Sequence, residues 1–416
     1  MSVELLCERF GIGGTVRSAA LRARERCSGF SYPAQAVVKI NVLQAFLDEG
    51  IAESDLAGST GYGYDDAARA RYESLLCRVL GTQRALARLS IASGTHAIVA
   101  SLAACTPPGS VLLSITGRPY DTLRNAICDA PHALVGGGIG YREVALADGG
   151  GIDEAALAAE LDRRDVGAVF IQRSRGYAPR RSVFVAACER AATIVRERAP
   201  QVPVLVDNCY GELVEEREPS HAGADLVMGS LIKNLGGAIA PAGGYVAGRA
   251  DLVERVAARL YAPGLGAALG PSLGFGRSFV QGLFFAPLVV EQTLRGLDFT
   301  AALFEELGYP VDPPAGAART DIVQAIRLGS RESLARFAAG LQSAMPLNAR
   351  FRPEPGAVPG YVDPVIMSSG SFVAGATIEL SCDAPLREPY EVYVQGGVTA
   401  EHAILGSLFA ARALQD

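Results

Sequence analysis

Short apolar runs of four to six residues recur through the middle of this chain with amphipathic stretches between them, and that alternation constrains the fold more than any other feature. The predicted strands are Ala87–Ala92, Ser110–Ile115, Ala168–Gln172, Val202–Val206, Leu226–Gly229 and Gly244–Ala247; Asp153–Arg163 and Val183–Arg198 have the period of helices. Strands joined through helices pair in parallel and are covered on both faces, so the expected class is α/β with a mostly parallel sheet.

The two ends of the chain depart from this pattern. Residues 1–60 contain no strand signal: a helix, Phe30-Ser-Tyr-Pro and a second helix ending near Gly50 form a predicted arm, suited to packing on a partner subunit. Residues 61–262 then form the expected large α/β domain. A Gly/Pro-rich stretch, Ala262–Pro271, opens the third section, 263–416, in which a long helix is predicted over Arg277–Leu297. Strands over Asp321–Arg327, Pro364–Met367 and Thr377–Leu380 would build a smaller C-terminal domain.

Composition removes several functional classes. Net charge is −6 and no Lys/Arg run occurs, so nucleic acid and anionic membrane are poor partners. The apolar stretches Ala97–Cys105 and Phe284–Val290 fall far short of a spanning helix, and the start lacks the pattern of a secretion signal, which makes the cytoplasm the expected location. Eight scattered cysteines and four histidines give neither a metal-ligand spacing nor a disulfide framework. The cysteines read as small buried reduced residues, with Cys209 the one placed to face a site.

Only two of the 38 Lys+Arg residues are lysine. Arginine stays protonated, whereas lysine can lose its proton and form an imine with an aldehyde. Lys39, in Ala36-Val-Val-Lys-Ile-Asn41, reads as a solvated cation. Lys233 sits instead among small residues, in Met228-Gly-Ser-Leu-Ile-Lys-Asn-Leu-Gly-Gly237. The other chemistry-bearing groups also fall at predicted strand ends, where open α/β sheets bind ligands. Ser93-Gly-Thr-His-Ala97 opens a helix after the first strand, a turn suited to an anion or simply to an N-cap. Asp207 ends Val202-Pro-Val-Leu-Val-Asp, as a solvated turn residue or as the partner of a heteroaromatic nitrogen. Ser230 precedes Lys233 by three residues and can reach a phosphate on a molecule bound to that lysine.

An anion cradle, a carboxylate, a serine and an imine-forming lysine in this order resemble the fold-type I pyridoxal phosphate enzymes of cysteine and methionine metabolism. The resemblance is strongest to their methionine γ-lyase-like or "aluminium resistance" branch, and it runs along nearly the whole chain. It is densest in Gly61-Tyr-Gly-Tyr-Asp-Asp66, Ser93–Ile98, Ile115-Thr-Gly-Arg-Pro-Tyr-Asp-Thr122, Gln172-Arg-Ser-Arg-Gly-Tyr177, Asp207-Asn-Cys-Tyr-Gly-Glu212, Gly229–Gly237, Gln281-Gly-Leu-Phe and Pro385-Leu-Arg-Glu-Pro-Tyr390.

The resemblance implies an aspartate aminotransferase-like fold with pyridoxal 5'-phosphate carried as an imine on Lys233, which would also move protons between substrate carbons. Asp207 would pair with the pyridinium nitrogen, and Ser93, Gly94, Thr95 and Ser230 would cradle the phosphate. Tyr120 would lie over the ring and assist a leaving group. Tyr62 or Tyr64 would reach the phosphate of a neighbouring subunit, which implies a homo-oligomer of dimeric active units, expected as a tetramer. Arg387 is the expected contact for the substrate carboxylate, with Arg173 as an alternative and Arg175 and Arg277 as competitors. Where better-known relatives read Asn-Pro, this chain has Gln172-Arg-Ser-Arg, which leaves the hydrogen-bond partner of the cofactor's ring oxygen open.

The implied reaction is β,γ-elimination from a γ-substituted L-amino acid, with sulfur leaving as in methionine or cystathionine. A variant within the same resemblance expels halide from a chlorinated unsaturated amino acid (4-chloroallylglycine type) to give a terminal alkyne (propargylglycine), a step of specialised metabolism. An aminotransferase would use the same lysine and aspartate and is separated from a lyase by its need for a 2-oxo acid acceptor. A non-enzymatic pyridoxal phosphate-binding regulator is the rival of another class, and the missing basic DNA-binding module speaks against it.

Overall fold

A computed structural model describes residues 3–415, so Met1, Ser2 and Asp416, the outermost residues of the first and third expected sections, lie outside the description. Seven strands form the larger sheet: β1 (Arg84–Arg88), β2 (Val111–Ser114), β3 (Gly140–Glu143), β4 (Val166–Gln172), β5 (Val204–Asp207), β6 (Leu226–Ser230) and β7 (Gly244–Gly248). Their spatial order is β1-β7-β6-β5-β4-β2-β3. The five strands β2 to β6 run parallel, while β7 is antiparallel to both β6 and β1. The α/β class and mostly parallel sheet expected from the sequence are present.

The central strands are buried on both faces because Val204-Leu-Val and Val169-Phe-Ile alternate between two apolar layers. Leu205, Leu226 and Phe170 pack towards the helix Gly94–Cys105, whereas Val204, Val206 and Val227 face the layer that includes Val185–Arg198. Side chains therefore stop pointing into a core only at the C-terminal strand ends, where Gln172, Asp207 and Ser230 sit side by side: Gln172 and Asp207 are register partners, and Asp207 pairs with Met228.

A second sheet of β8 (Val311–Asp312), β9 (Val323–Arg327), β10 (Val365–Ser369), β11 (Ser381–Pro385) and β12 (Glu391–Gln395) has the order β10-β11-β12-β9-β8 and is antiparallel throughout. The helix Gly276–Glu306 joins the two sheets and buries twenty of its residues, Phe279 to Leu303 among them. It runs nine residues beyond the expected end at Leu297 because Asp298–Phe304 is buried without a break.

Several expected elements moved. The first strand is Arg84–Arg88, shifted from Ala87–Ala92, since Arg88 turns inwards to Glu73 and Leu89 begins the turn. Thr377–Leu380 is turn rather than strand; the strand begins at Ser381, where the polar alternation Ser381-Cys-Asp hides both faces from a reading based on apolar runs. The N-terminal segment is helical as expected, in three pieces, Val3–Arg9, Gly14–Cys27 and Pro33–Glu49, the last closed by Gly50 at φ 59°. No helix among the described residues is long and apolar enough to cross a membrane.

Candidate active site

Three strand ends and one helix start meet around a cavity of about 460 Å³. Ser93 caps the helix Gly94–Cys105, its Oγ accepting from His96 N at 3.1 Å. The cap that the sequence allowed is thus present, and Ser93, Gly94 and Thr95 at the helix start line the cavity. A Cβ on Gly94 would come within 3.2 Å of Cys209 Sγ and of Ser230 Cβ, so any larger residue would push this helix start away from β6 by a few tenths of an ångström. The uncompensated N–H groups and the helix dipole make this end suited to a phosphate, and the hydroxyls of Ser93, Thr95 and Ser230 line the same end.

Opposite the helix start, Lys233 follows β6 and enters the cavity with Nζ 3.7 Å above the ring centre of Tyr210. Burial alone pulls its pKa down, but the anionic character of Cys209, Tyr210 and Asp207 acts in the other direction, and the net shift is upward. Burial also pushes the Cys209 thiol and the Tyr210 phenol up. Both are therefore neutral near neutral pH, and Asp207 is the lasting anion facing the lysine. Asp207 itself is raised by burial and pulled back by Lys233; its Oδ1 accepts from Cys209 N at 3.0 Å. Pairing of Asp207 with a ring cation would relieve its hold on the ammonium and let Lys233 become the neutral amine that imine formation needs.

Tyr120 covers one side. Its hydroxyl lies 2.8 Å from Thr95 Oγ1 and its backbone N–H donates to Gln172 Oε1 at 3.0 Å. Gln172 in turn donates to the carbonyl of Ser174 at 2.9 Å, so its side chain is a brace between two loops. Burial, with Asp207 close by, pushes the Tyr120 phenol well above its ordinary value, which keeps it protonated.

The four arginines considered for the substrate carboxylate lie outside the lining of the main cavity. Arg173 is 1% exposed and lies beneath the cavity, donating to Asn208, to Glu215 Oε1 at 2.7 Å and to Thr320 Oγ1 at 2.7 Å. With its fork fully engaged it braces the loop after β4 and cannot take a substrate carboxylate. Arg387 pairs with Asp121 at 3.0 Å and donates to the Tyr177 carbonyl at 3.0 Å; it lines a neighbouring cleft of about 220 Å³ that shares Tyr120 and Tyr177 with the main cavity. Arg175 is held by Asp312, and Arg277 pairs with Glu53 at the surface. Among the described lining residues the main cavity has no arginine. Tyr62 and Tyr64 are 74% and 54% exposed and lie outside it, in a segment fastened by Gly270 N donating to the Tyr62 carbonyl. Cys209 does face the cavity.

The sequence reading assigned no role to Tyr210, Tyr177 or Tyr361, which also line the cavity. Tyr210 adopts φ 72°, and that left-handed turn places its ring under Lys233. The clue in the sequence was its position three residues after Asp207. Tyr177 and Tyr361 come from separate loops and meet at 5.2 Å between ring centres, a contact that no local pattern announces. A larger cavity of about 680 Å³ beside Tyr32 carries no such convergence: Tyr32 and Arg319 both bind Asp298, at 2.7 and 2.8 Å.

Residues 22–415 match the family model described as methionine gamma-lyase. The chain is 41% identical to the uncharacterized protein YnbB of Bacillus subtilis, over 94% of each chain. Among solved structures, a proposed cystathionine beta-lyase involved in aluminium resistance from Clostridium acetobutylicum is 39% identical, with 98% of this chain and 97% of that one covered and a TM-score of 0.94. A carbon-sulfur lyase involved in aluminium resistance from Clostridium novyi NT is 35% identical over 98% of both chains, with a TM-score of 0.92. A match that spans both sheets and every element around the Lys233 cavity places this chain in the methionine gamma-lyase family.

Proposed function

We propose that the chain is a pyridoxal phosphate-dependent lyase that removes the γ-substituent of an L-amino acid by β,γ-elimination, with carbon–sulfur cleavage as its principal reaction. The observation that carries this reading is the joint presence of Lys233, Asp207 and the Ser93–Thr95 helix start in one cavity, spaced around it so that an amine, a carboxylate and a phosphate cradle face a common centre. When bound, pyridoxal phosphate supplies an electron sink for charge that develops at the substrate's α-carbon.

The residues divide the remaining work. Lys233, once free as an amine on its flexible stem over Tyr210, would take the α-proton, hand that proton on to the bound cofactor and, neutral again, take a β-proton. Asp207, ionised, keeps the ring nitrogen protonated and the sink effective. Ser93, Gly94, Thr95 and Ser230 hold the phosphate and fix the register of the reacting atoms. Tyr120, on the cavity wall, would lie beside the ring, and its protonated phenol, or a nearby acid, would serve the departing group.

Among the described lining residues only Asp207 and Lys233 carry charge. A short uncharged γ-substituent, such as the methylthio group of methionine, fits that lining better than the zwitterionic end of cystathionine. Chlorine on an unsaturated side chain is equally small and uncharged, so the halide-expelling variant is kept as a second reading. Exposed Ile40, Leu43 and Leu47 on one helix lie beside exposed Phe284 and Leu288 on another, an apolar face that supports assembly into a homo-oligomer.

An absorbance spectrum of the purified chain beside its Lys233→Ala variant, before and after addition of γ-substituted amino acids, tests the reading. The visible band of a protonated imine in the parent and its loss in the variant are expected, with 2-oxo acid, ammonia and thiol or halide released together. No band after addition of pyridoxal phosphate would sink it, and activity only with a 2-oxo acid acceptor would replace it with transamination.

A further inference from the structure

Asn234, the residue after Lys233, is fully buried, and no step of the elimination passes through it. It opens the short turn Asn234–Gly236. That turn is pressed onto the helix Gly276–Glu306: Gly237, at φ 52°, lies so near it that a Cβ there would collide with the Gly282 carbonyl. From this fixed base the Asn234 amide donates twice, Nδ2 to the Tyr210 carbonyl at 3.0 Å and to the Glu212 carbonyl at 2.8 Å. Its Oδ1 is buried without a hydrogen-bond partner among the described residues. An unanswered buried acceptor works against folding, so what this amide contributes lies in its two N–H groups.

Both carbonyls belong to the turn after β5, in which Tyr210 holds φ 72°. A bulky residue seldom adopts that left-handed conformation and keeps it only where the surroundings over-determine it. Three hydrogen bonds do so here: the two from Asn234, and one from Ile322 N, which reaches the Tyr210 carbonyl at 3.1 Å from the residue before β9. The ring thereby stays under Lys233, whose Nζ is 3.7 Å from its centre. Two residues adjacent in sequence thus meet the same tyrosine, Lys233 at its ring and Asn234 at its backbone, which keeps lysine and ring in register.

A ring face attracts a cation, most strongly where water is excluded. The hold on Lys233 is therefore greatest while it carries a proton that it has taken. We propose that Asn234 is a positioning residue that, by fixing the Tyr210 ring, keeps Lys233 stationed beside the substrate carbons between proton transfers. The inference rests on the reading of Lys233 as the amine that moves protons. Asn234 itself touches no reacting atom.

The test exploits the scarcity of lysine. Lys39 and Lys233 are the only two in the chain, so lysine labelled with carbon-13 at Cε gives two side-chain NMR signals, and Lys39→Arg identifies which is which. In the cofactor-free full-length chain at neutral pH, the Lys233 Hε protons are expected upfield of those of Lys39, the mark of a ring face. Tyr210→Leu should abolish the offset. Asn234→Leu, which keeps the side-chain volume but has neither donor, should remove most of it. Two lysines that resonate together in the parent, or a full offset in Asn234→Leu, would overturn the proposal. Should Asn234→Leu fail to fold, Asn234→Ser, which retains one donor, is expected to lose part of the offset, and an undiminished offset there overturns the proposal equally. In the chain loaded with pyridoxal phosphate, exchange of the α-proton of norleucine with deuterium from solvent reads the work of Lys233 alone, since this amino acid has no group to expel. Asn234→Leu is expected to lower the exchange rate at saturation by about 10- to 100-fold, with the half-saturating concentration unchanged. The reverse split, a kept rate with weakened saturation, would assign Asn234 to structure only and overturn the proposal. A parent that takes up no pyridoxal phosphate removes the reading of Lys233 itself, a result distinct from any outcome in the cofactor-free spectra.

Discussion

Arg173 and Lys233 are both cations rooted just past the ends of β4 and β6, the two strands that flank β5 in one sheet, yet their surroundings are opposites. Beneath the strand ends, Arg173 meets Asn208, Glu215 and Thr320, and Asn208 receives a further tie by donating to Glu218 at 2.8 Å. Above them, Lys233 makes no salt bridge among the described residues and rests on the face of Tyr210. Polar groups that answer one another hold the loops in place, and those left facing the cavity are organised for a ligand. The difference separates stability from chemistry within a few ångströms, and substitutions on the two sides should separate in the same way.

The largest contrast is expected from Lys233→Ala. Turnover should fall by about 10⁴-fold or more, while the melting temperature of the cofactor-free chain drops only modestly, because Lys233 gives up the Tyr210 face and the attraction of Asp207 but no salt bridge among the described residues. A large loss of stability would break the division. Arg173→Met should do the reverse, destabilising the chain by about 3–5 kcal/mol in denaturant titrations by stranding Glu215, Asn208 and Thr320. Full stability in that variant would mean that the floor is not braced by this fork.

Glu212 sharpens the comparison through pH. It is fully buried, with Oε1 accepting from Tyr245 Oη at 2.9 Å, and burial pushes its pKa up to about 8 from an ordinary 4.5. The folded chain keeps a proton that the unfolded chain releases. This contribution is therefore complete below pH 4.5, is lost as pH climbs, and is gone above about 8. Glu212→Gln, which cannot ionise, should gain on the parent by a few kcal/mol across that window in melts recorded pH by pH. A difference that stays flat with pH would refute the buried protonated acid. Ser93→Ala is expected to have the smallest effect, about 1 kcal/mol for the lost cap, with weaker pyridoxal phosphate binding in a fluorescence titration; stability without any change in affinity would assign Ser93 to capping alone.

How much of this was legible in the sequence follows the same division. Lys233 stood out because lysine is scarce and its neighbours are small, and Ser93 because a Ser-Gly-Thr turn after an apolar run can do little but start a helix. Arg173 could not be told from Arg175 or Arg180 in Gln172-Arg-Ser-Arg-Gly-Tyr-Ala-Pro-Arg, since what distinguishes them is which carboxylate the rest of the chain brings near. The second sheet was partly hidden for a related reason. Asp383 and Glu391 are buried polar residues inside strands, and the hydropathy of Ser381–Pro385 and Glu391–Gln395 gives no hint that both faces are covered. The edge strand Gly140–Glu143 went unread because its residues are only half-buried.

The pairing of β1 with β7 has a consequence for the order of events in assembly. Arg84 lies opposite Gly248, and β1 has no other neighbour in the sheet, so the strand that leads into Ser93 finds its only ladder partner in the last strand of that sheet to be made. Gly244, on β7, packs so closely that a Cβ there would come within 3.0 Å of the Ser93 carbonyl. Closing a loop of that length is slow and entropically opposed. A chain emerging from the ribosome therefore cannot present the helix start at Gly94 in its final place until residue 248 has been made and docked. On the proposed function, capture of the phosphate-bearing cofactor would be a late event, and a signal that the larger sheet is complete.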